Sequence, residues 1–517
     1  MIMKPGRLIA LCLGLVITLS YFGCSNKNES GNLIEQPNIL FISIDDLNDW
    51  SEVLAGNPQS LTPNLSSFSE EAVNFTRNYC VSPGCNPSRT STMTGLHTFN
   101  SGMYSNYQDW RKVEKTATAK HLGQYFRENG YFTAGAGKIY HYNQVHPKSW
   151  DEYYPSQKQN MPADYMPENR PVNMPGFKYM YGMFDWAGVE ADDSLMGDYK
   201  SVSFISDQLA KKHDKPFFLA CGIYRPHLPW YVPKKYFDKF PLDSVNLPPI
   251  LAGDTTDLGV RAKELISRGG NYHKHIVEAG KWKEAVRGYL ASIAAADAML
   301  GMLLHNLSQS EYAKNTIVVV WSDHGWQLGE KMHWRKFALW ENVNRTLLMI
   351  KVPKGVAYLP EGSNNGKSTT SLTSLVDIYP TLVDLAGLPP RSDLDGNSLI
   401  PILQNPDTII DRIIITTYDF ADYSVRKDNW HYIKYVDDSE ELYDLSKDPE
   451  EWYNLALDEE YRSKMNELAM ALPANPLPIA DSSLIDLQEH HIPPVTSREY
   501  YFSEKRQKWI KRFEEVD

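Results

Sequence analysis

Two pairs of polar residues follow directly after two of the most apolar runs of the chain. Asp45 and Asp46 end one run, and Asp323 and His324 end another. Adjacent carboxylates repel each other unless a cation lies between them. The carboxyl ends of parallel strands meet at one edge of an open α/β sheet, so we expect these side chains to converge there. Carboxylate oxygens suit a divalent cation, with helix caps and turns as the alternative use of such residues.

The segment 85–95 carries a second candidate for chemistry. Cys85 opens a predicted helix in a polar stretch, with Pro87 in the first turn and Arg89 one turn further on. A helix N-terminus and a guanidinium group both favour an anion at that position. The pattern predicts an exposed, reactive cysteine, and a structural thiol is the alternative.

Three continuous β-rich runs predict the strands that must position these residues. They occupy 38–44, 217–222 and 317–322, and their lack of polar alternation is typical of parallel strands that are buried on both faces. Helical patterns cover 119–129 and 282–304. Strands that alternate with helices over most of the chain predict one doubly wound α/β domain.

The predicted α/β catalytic domain spans 37–397, and a smaller C-terminal subdomain spans 398–517. The stretch 384–397 is rich in turn residues and marks the boundary. After it we expect a short antiparallel meander with a closing helix. The strand segments are 413–417, 424–426 and 431–436, and the helix is 459–472.

The N-terminus predicts export. Residues 1–23 include a basic start at Lys4 and an apolar stretch at 8–19 that is too short to span a bilayer comfortably. The junction before Cys24 resembles a bacterial lipoprotein cleavage site, and the polar tether 24–36 follows it. We therefore predict a signal peptide, a lipid on Cys24 as the one membrane contact, and a location in the periplasm or at the outer membrane. A plain secretory signal is the alternative.

The cysteines of the exported chain are odd in number. Of the five, Cys12 leaves with the signal peptide and Cys24 receives the lipid, which leaves Cys80, Cys85 and Cys221. An odd count in an exported protein points to a special role for one thiol. Cys221 lies in an apolar run, which predicts a small buried core residue. Cys85 is therefore the candidate for the thiol with a special role.

The composition excludes several classes of protein. Hydrophobic residues are 42% and charged residues 22% of the 517, which excludes a disordered chain and a polytopic membrane protein. Lys and Arg number 52 against 64 Asp and Glu, a net charge of -12, so no nucleic-acid partner is expected. An anionic substrate therefore requires a local basic pocket in an acidic surface.

The segment from Cys85 to Gly95 resembles the signature of the type I sulfatases, Cys-x-Pro-Ser-Arg followed by Thr-Gly. The resemblance implies that a formylglycine-generating maturation enzyme converts Cys85 to formylglycine (3-oxoalanine), whose hydrated gem-diol is the nucleophile. It also implies an alkaline-phosphatase-like fold, with a doubly wound, mostly parallel sheet and a smaller C-terminal antiparallel sheet. The resemblance covers 37–456 and is nearest to the bacterial iduronate-2-sulfatase-like branch.

The same resemblance assigns the metal ligands. Asp45, Asp46, Asp323 and His324 match the ligands of the family, and the modified Cys85 completes the shell. The metal of the family is usually one calcium ion. His324 stands where many members have Asn, as it does in iduronate-2-sulfatases, although a nitrogen ligand suits calcium less well.

Five further side chains match catalytic positions of the family. Arg89 follows the signature cysteine and is expected to orient the gem-diol. Lys138 and His141 lie in a Gly-Lys-x-x-His element, His227 in a Pro-His-x-Pro loop, and Lys336 in a Trp-x-Lys element. The resemblance makes the lysines sulfate-binding, His227 the general acid for the leaving alcohol, and His141 the base that helps to expel sulfate. A structural or surface role is the alternative for each lysine and histidine.

The implied function is hydrolysis of sulfate monoesters on a glycosaminoglycan or algal oligosaccharide or polysaccharide, with a 2-O-sulfate suggested by the branch. The reaction passes through a calcium-assisted covalent sulfo-enzyme intermediate. A formylglycine-dependent phosphoesterase or phosphonate hydrolase and a catalytically dead carbohydrate-binding lipoprotein are the alternatives. Arg111, Arg225 and Arg335 are further candidates for contact with sugar or carboxylate, with packing or solvent exposure as the alternative.

Overall fold

The computed structural model describes most of the chain that follows the predicted signal peptide. That peptide and Cys24 lie outside the described residues. The described residues are 33–141, 144–174, 183–267, 271–485 and 494–508.

A sheet of eight strands forms the centre of the molecule. The strands are β1 (Asn38–Ile44), β2 (Val73–Phe75), β3 (Phe132–Gly137), β4 (Glu152–Tyr154), β5 (Phe217–Ile223), β6 (Thr316–Ser322), β7 (Leu348–Lys351) and β8 (Lys367–Thr369). Their order across the sheet is β8-β2-β7-β6-β1-β5-β3-β4. β7 runs antiparallel to both of its neighbours, and the other pairs are parallel. The predicted mostly parallel sheet is confirmed.

Helices cover both faces of this sheet. The helices of seven residues or more are α1 (Pro63–Ser69), α2 (Cys85–Thr94), α3 (Leu122–Glu128), α4 (Gly197–Ala210), α5 (Val260–Ser267), α6 (Tyr272–Glu278), α7 (Trp282–Gln309), α8 (Ile378–Leu385) and α9 (Arg462–Ala469). By length and composition α7 could span a membrane, but 67% of its most apolar window is buried inside the protein, as in a core helix.

Alternate residues of the central strands face two hydrophobic clusters. Leu40 and Ile42 of β1 belong to the cluster under α4 and α7, whereas Ile39 and Phe41 belong to the cluster under α3 and α8. Successive side chains of a strand point to opposite faces. Because both faces are covered, every residue of β1, β5 and β6 is buried, which explains why these runs are mostly apolar and show no polar alternation.

The predicted helix at 119–129 is shorter than expected. It begins at Leu122, because the backbone at Ala119 and His121 is extended, with ψ of 146° and 151°. The short helix Glu114–Thr118 ends directly before this extended stretch. The apolar pattern alone did not show that the backbone before Leu122 is extended.

Short elements complete the loops around the sheet. The short strands are Asn78–Tyr79, Trp186–Val189, Trp230–Pro233, Gln327–Leu328, Trp334–Arg335, Arg345–Thr346 and Thr373–Ser374. The short helices are Thr98–Ser101, Glu114–Thr118, Lys234–Phe237, Glu341–Asn344, Ile400–Gln404 and Arg498–Tyr501.

A separate antiparallel sheet lies near the C-terminus, as predicted. Its strands are β9 (Ile414–Tyr418), β10 (Asp422–Lys427), β11 (Trp430–Lys434) and β12 (Glu440–Asp444), in sequential order. α9 packs against β10 and β11 and is shorter than the expected helix, since a 3-10 turn occupies Glu459–Tyr461. Leu399 and Leu403, which precede this sheet, pack in the cluster under α3 and α8. The domain boundary at residue 397 stays a prediction.

Two glycines let β3 and β5 approach each other where both strands end. Gly137 has φ of 71°, a left-handed conformation that favours glycine. A Cβ atom at Gly222 would lie 2.3–2.5 Å from backbone atoms of Lys138. This close approach turns the chain out of β3 beside the end of β5, and Lys138 is the first residue after the turn.

Candidate active site

The carboxyl ends of four neighbouring parallel strands carry most of the candidate residues. β1 leads into Asp45 and Asp46, and β6 leads into Asp323 and His324. β3 leads into the loop with Lys138 and His141, and β5 leads into the loop with His227. The sheet therefore brings together side chains that are far apart in the sequence, as the position of sites in open α/β folds requires.

Helix α2 brings the signature residues to the same edge. Cys85 is its first residue, and Arg89 lies one turn later on the same helix face. The guanidinium group of Arg89 donates from Nε to Asp323 Oδ2 (2.9 Å) and from Nη2 to Asp45 Oδ1 (2.8 Å). Its contacts show that Arg89 clamps the two acidic loops together. The orientation of a gem-diol by Arg89 stays a prediction.

The expectation that Cys85 is exposed is wrong. Its relative exposure is 0%, because polar side chains cover it. We call this buried polar group the floor of the site; it consists of Cys85 and the surrounding residues Asp45, Asp46, Arg89, Lys138, Asp323, His324 and Lys336. Its Sγ atom lies 3.0 Å from Lys336 Nζ, 3.3 Å from His324 Nε2 and 3.7 Å from Asp46 Oδ1. The sequence showed a polar helix start, but it could not show that three other loops fold over that start.

The predicted metal ligands form a compact buried group. The ligand atoms of Asp46, Cys85, Asp323 and His324 all lie within 4.8 Å of one another. Asp45, the fifth predicted ligand, groups in the same way with Asp46 and His227. Asp46 has φ of 59°, and its backbone N–H donates to Asp323 Oδ1 at 3.1 Å, so the two acidic loops are directly joined.

The imidazole of His324 is oriented as a metal ligand requires. Its Nδ1 donates to the carbonyl oxygen of Gly325 at 2.9 Å, so Nε2 points into the site. Nε2 lies 3.4 Å from Asp46 Oδ1 and 3.6 Å from Asp323 Oδ2. The negative charges of Asp323, Cys85 and Asp46 outweigh the effect of burial and raise the pKa of His324 to about 9, so a divalent cation must displace the Nε2 proton in order to bind here. The donor set of carboxylates and one imidazole fits a divalent cation.

Cations balance the buried carboxylates. Lys138 forms an ion pair with Asp45, and Lys336 Nζ lies 2.7 Å and 3.0 Å from the two oxygens of Asp46. Burial opposes the charged form of both lysines, but these carboxylates outweigh it and raise the pKa of each ammonium group. Both lysines therefore remain positively charged beside Cys85.

The environment of Cys85 favours a negative charge. Burial alone would raise the pKa of the thiol. The positive charges of Lys138, Lys336 and His324 hold that pKa well below its usual range. The site also attracts an anionic substrate group, because these three cations surround Cys85 at the N-terminus of α2.

The two histidines assigned to proton transfer are both close to this floor. His227 Nδ1 donates to the carbonyl oxygen of Leu228 at 2.5 Å, and its Nε2 lies 3.7 Å from Asp46 Oδ2. Burial, reinforced by Lys138 and Lys336, lowers the pKa of His227 to about 3. Burial likewise lowers the pKa of His141 to about 4, against an opposing hydrogen bond with Cys85. Both rings are therefore neutral at pH 7 before substrate binds.

Two residues that the sequence analysis missed hold the site in place. Tyr289 of α7 donates from its hydroxyl to the carbonyl oxygen of Asp46 (2.7 Å) and accepts from the Asn48 N–H (3.0 Å). Ser43 Oγ lies 3.2 Å from Arg89 Nη1. Tyr289 and Ser43 both lie in segments whose sequence predicts a buried core element. No motif or spacing in the sequence indicates that either residue contacts the site.

The three arginines considered for sugar contact differ in their surroundings. Arg225 is buried and pairs with Asp164 at 2.7 Å, and Arg111 pairs with Asp109 at 2.7 Å. Arg335 directly precedes Lys336, and its guanidinium group lies 5.5 Å from the Phe337 ring, whose centroid lies 5.9 Å from Lys336 Nζ. Arg335 is therefore the arginine of the three that lies beside a sulfate-binding candidate.

Two family models match the chain. The model described as "Sulfatase" matches residues 37–388, and the model described as "N-sulphoglucosamine sulphohydrolase, C-terminal" matches residues 329–475. Among curated relatives, a "Sulfatase" of Formosa agariphila is 35% identical and covers 89% of this chain and 91% of the relative. Iduronate 2-sulfatase of Homo sapiens is 26% identical, with 74% and 75% covered.

Solved structures share the fold. A phosphonate monoester hydrolase of Agrobacterium radiobacter superposes with a TM-score of 0.67 at 21% identity, covering 84% of this chain and 94% of that one. A structure in complex with its substrate D-glucosamine-2-N,6-O-disulfate has a TM-score of 0.65 at 21% identity, covering 84% and 96%. At this level of identity the two structures support the fold alone.

Proposed function

Because this chain belongs to the sulfatase family and is a sulfuric ester hydrolase, we propose that it removes sulfate from a sulfated carbohydrate with a formylglycine generated from Cys85. The observation that carries the proposal is the position of Cys85. It is the first residue of α2, and the ammonium groups of Lys138 and Lys336 lie 3.8 Å and 3.0 Å from its Sγ atom. A sulfate ester placed on such a nucleophile meets positive charge on its oxygens.

The sulfur of Cys85 stands where an oxygen of the hydrated aldehyde would lie in the mature protein. His141 interacts with this side chain and is neutral, so it can take a proton from the hydrated residue 85. Oxidation of Cys85 by a maturation enzyme must precede folding of the floor, since the thiol is fully buried in the folded chain.

The proposed metal ligands are Asp45, Asp46, Asp323, His324 and the modified residue 85. A divalent ion held there would withdraw negative charge from a sulfate oxygen. Calcium is the proposed ion because three of these ligands are carboxylates. Arg89 keeps Asp45 and Asp323 in position for it through the two ion pairs described above.

The leaving alcohol is proposed to receive its proton from Nε2 of His227. Nδ1 of this ring already donates to the carbonyl of Leu228, so Nε2 carries a proton only when the ring is cationic. The negative charge of a bound sulfate ester raises the pKa of a nearby imidazole. Substrate binding is therefore expected to favour the protonated state of His227.

The proposed substrate is an oligosaccharide or polysaccharide of the glycosaminoglycan or algal type, with a 2-O-sulfate on a uronic acid. The likeness to iduronate 2-sulfatase supports this choice. A panel of oligosaccharides that differ in the position of one sulfate, assayed for free sulfate, tests it. Hydrolysis of phosphate or phosphonate esters without release of sulfate from any member of the panel would contradict the proposal.

Chelation is expected to remove activity and to lower the melting temperature. A ligand that binds only the folded state at 100 times its dissociation constant stabilises that state by about 2.7 kcal/mol. Added calcium is expected to restore both properties, and Asp46→Asn is expected to lose the response to calcium. Asp393→Asn, an exposed carboxylate paired with Arg391, is the matched control and should behave as wild type. Active protein without bound metal in elemental analysis contradicts the metal assignment.

Export as a lipoprotein is proposed from the junction before Cys24, which lies outside the described residues. Cys24→Ala is expected to release the protein from the membrane fraction with unchanged specific activity, because the tether precedes the catalytic domain. Cys12→Ala is the matched control, since this cysteine leaves with the signal peptide. Fractionation with immunodetection measures both. Wild-type protein found free in the periplasm would contradict the lipid anchor and would support a plain secretory signal instead.

A further inference from the structure

Arg335 lies in a hairpin beside the active site. Gln327–Leu328 pairs antiparallel with Trp334–Arg335, and the next residue, Lys336, reaches Cys85 Sγ at 3.0 Å. The hairpin is anchored by Trp334, which is buried and donates from Nε1 to His273 Nδ1 at 3.2 Å. The position of Arg335 is therefore tied to that of a side chain at the floor of the site.

The backbone at Arg335 adopts an uncommon conformation. Its φ is 79°, as is that of Phe337, and this left-handed region is unfavourable for large side chains. Such conformations cost on the order of 1–3 kcal/mol and persist where the surroundings hold them, often at functional sites. The hydrogen bond from the Phe337 N–H to the carbonyl of Pro83 (3.1 Å), just before Cys85, holds this one.

The left-handed turn changes where the side chain points. In a regular strand, neighbouring side chains point to opposite faces, so Arg335 would point away from the side on which Lys336 lies. Here the guanidinium group of Arg335 lies 5.5 Å from the centroid of the Phe337 ring, and Lys336 Nζ lies 5.9 Å from the same centroid. The two cations therefore border one aromatic ring of the hairpin.

Aromatic side chains hold the guanidinium group of Arg335 in a defined place. It lies 5.5 Å from the ring centroids of both Tyr272 and Phe337. Its Nη1 donates to the Tyr272 hydroxyl at 3.0 Å, and the buried Tyr272 ring packs on Phe184 at 5.1 Å. Cation–π contacts of this kind orient an arginine without neutralising its charge. Arg335 as a residue is partly exposed, although the Nε atom of its guanidinium group is enclosed by protein.

The charge of Arg335 adds to the positive charge of the site. Asp45, Asp46 and Asp323 form ion pairs with Arg89, Lys138 and Lys336, and His324 lies beside Asp46 and Asp323 as a fourth cation. Arg335 is a further cation at the rim of this set. A planar guanidinium group binds carboxylates and sulfates through paired N–H donors, which a lysine cannot do.

Resting on the proposed function, we propose that Arg335 binds a second oxyanion of the sulfated sugar, next to the ester that is cleaved. It is then a specificity-determining residue that selects sugars carrying a second negative charge. The carboxylate of a uronic acid and a second sulfate offer the same chemistry. The site thus distinguishes a dianionic sugar from a neutral sugar with one sulfate.

The test compares kcat/KM for a sulfated uronic-acid disaccharide with kcat/KM for an aryl sulfate that has a single negative charge. Wild-type enzyme is expected to prefer the disaccharide, and Arg335→Ala is expected to lower that preference by about 10–100-fold, the usual worth of one charged hydrogen-bonded contact. The loss should appear mainly as a higher KM. Arg335→Lys should keep part of the preference for the disaccharide, because lysine retains the positive charge but lacks the paired N–H donors of a guanidinium group.

Arg462→Ala is the matched control, because Arg462 is an exposed arginine that pairs with Glu440 and Glu459 in the C-terminal part. It should leave both kinetic values unchanged. Equal losses on the two substrates for Arg335→Ala, or an unchanged preference, would overturn the proposal. Turnover of the aryl sulfate by wild-type enzyme shows independently that the proposed sulfatase reaction stands.

Two altered disaccharides identify the source of the second charge. In the first, the carboxylate is reduced to an alcohol, and in the second, a sulfate that is not cleaved is removed. The alteration that abolishes the difference between wild type and Arg335→Ala names the oxyanion that Arg335 binds. A difference that persists with both groups removed contradicts the proposal.

Discussion

Cys85→Ala is expected to lower kcat to less than about a thousandth of the wild-type value, since loss of covalent catalysis costs several kcal/mol of transition-state stabilisation. The fold should remain intact, because the substitution removes one buried atom and leaves the ion pairs of the floor in place. Release of sulfate from the natural substrate and the melting temperature are the two measurements. Cys85→Ser should be equally inactive in a host whose maturation enzyme requires cysteine.

Cys221→Ala is the matched control for this prediction. Cys221 is also fully buried, but it lies within β5 in the cluster under α4 and α7. It should lose some stability and retain its kcat. Mass spectrometry of the peptide that contains residue 85, from protein made in the native host, should find an aldehyde. A Cys85→Ala variant that keeps more than a thousandth of the wild-type kcat, with the same KM, would refute the nucleophile.

His227→Ala is expected to slow hydrolysis of the sugar sulfate by about 10²–10⁴-fold, the usual worth of general acid catalysis. A sugar alkoxide is a poor leaving group and needs a proton in the transition state. An aryl sulfate has a good leaving group, so the same variant should affect it much less. The ratio of the two rates between wild type and variant is the measurement.

His141→Ala separates the two histidines. If His141 removes a proton from the hydrated residue 85, its loss should slow both substrates, because both pass through the same release of sulfate. His305→Ala, an exposed histidine on α7, is the matched control and should slow neither. Equal losses on sugar and aryl sulfates for His227→Ala, with an unchanged acidic limb of the pH profile, would make His227 a binding residue. The acid would then be sought in His141 or Lys336.

The reading of the strands from the sequence succeeded for a physical reason. β1, β5 and β6 are covered on both faces, so each is apolar at most positions, without polar alternation, and is visible without any alignment. Local sequence signals did not predict the elements whose conformation depends on packing against distant parts of the chain. The extended residues before α3 carry no turn signal. β12 is not among the three predicted strands of the C-terminal meander, because three of its five residues are Glu or Asp, which are depleted in strands.

The sequence by itself determined the family, the fold class and the candidate residues. The segment that begins at Cys85 combines a helix start, a proline and an arginine one turn later, and these depend only on local spacing. Asp45 and Asp323 follow strands, so the rule that parallel strands end at one edge was enough to predict that they meet.

Tertiary structure alone decided the burial of Cys85 and the protonation of its neighbours. These properties depend on which loops fold over α2, and those loops come from distant parts of the chain. The same holds for Tyr289, which reaches Asp46 from the middle of a core helix. It also holds for Arg335, which has a left-handed backbone and borders the same Phe337 ring as Lys336. Charge, burial and direction are properties of the assembled pocket, and no spacing along the chain encodes them.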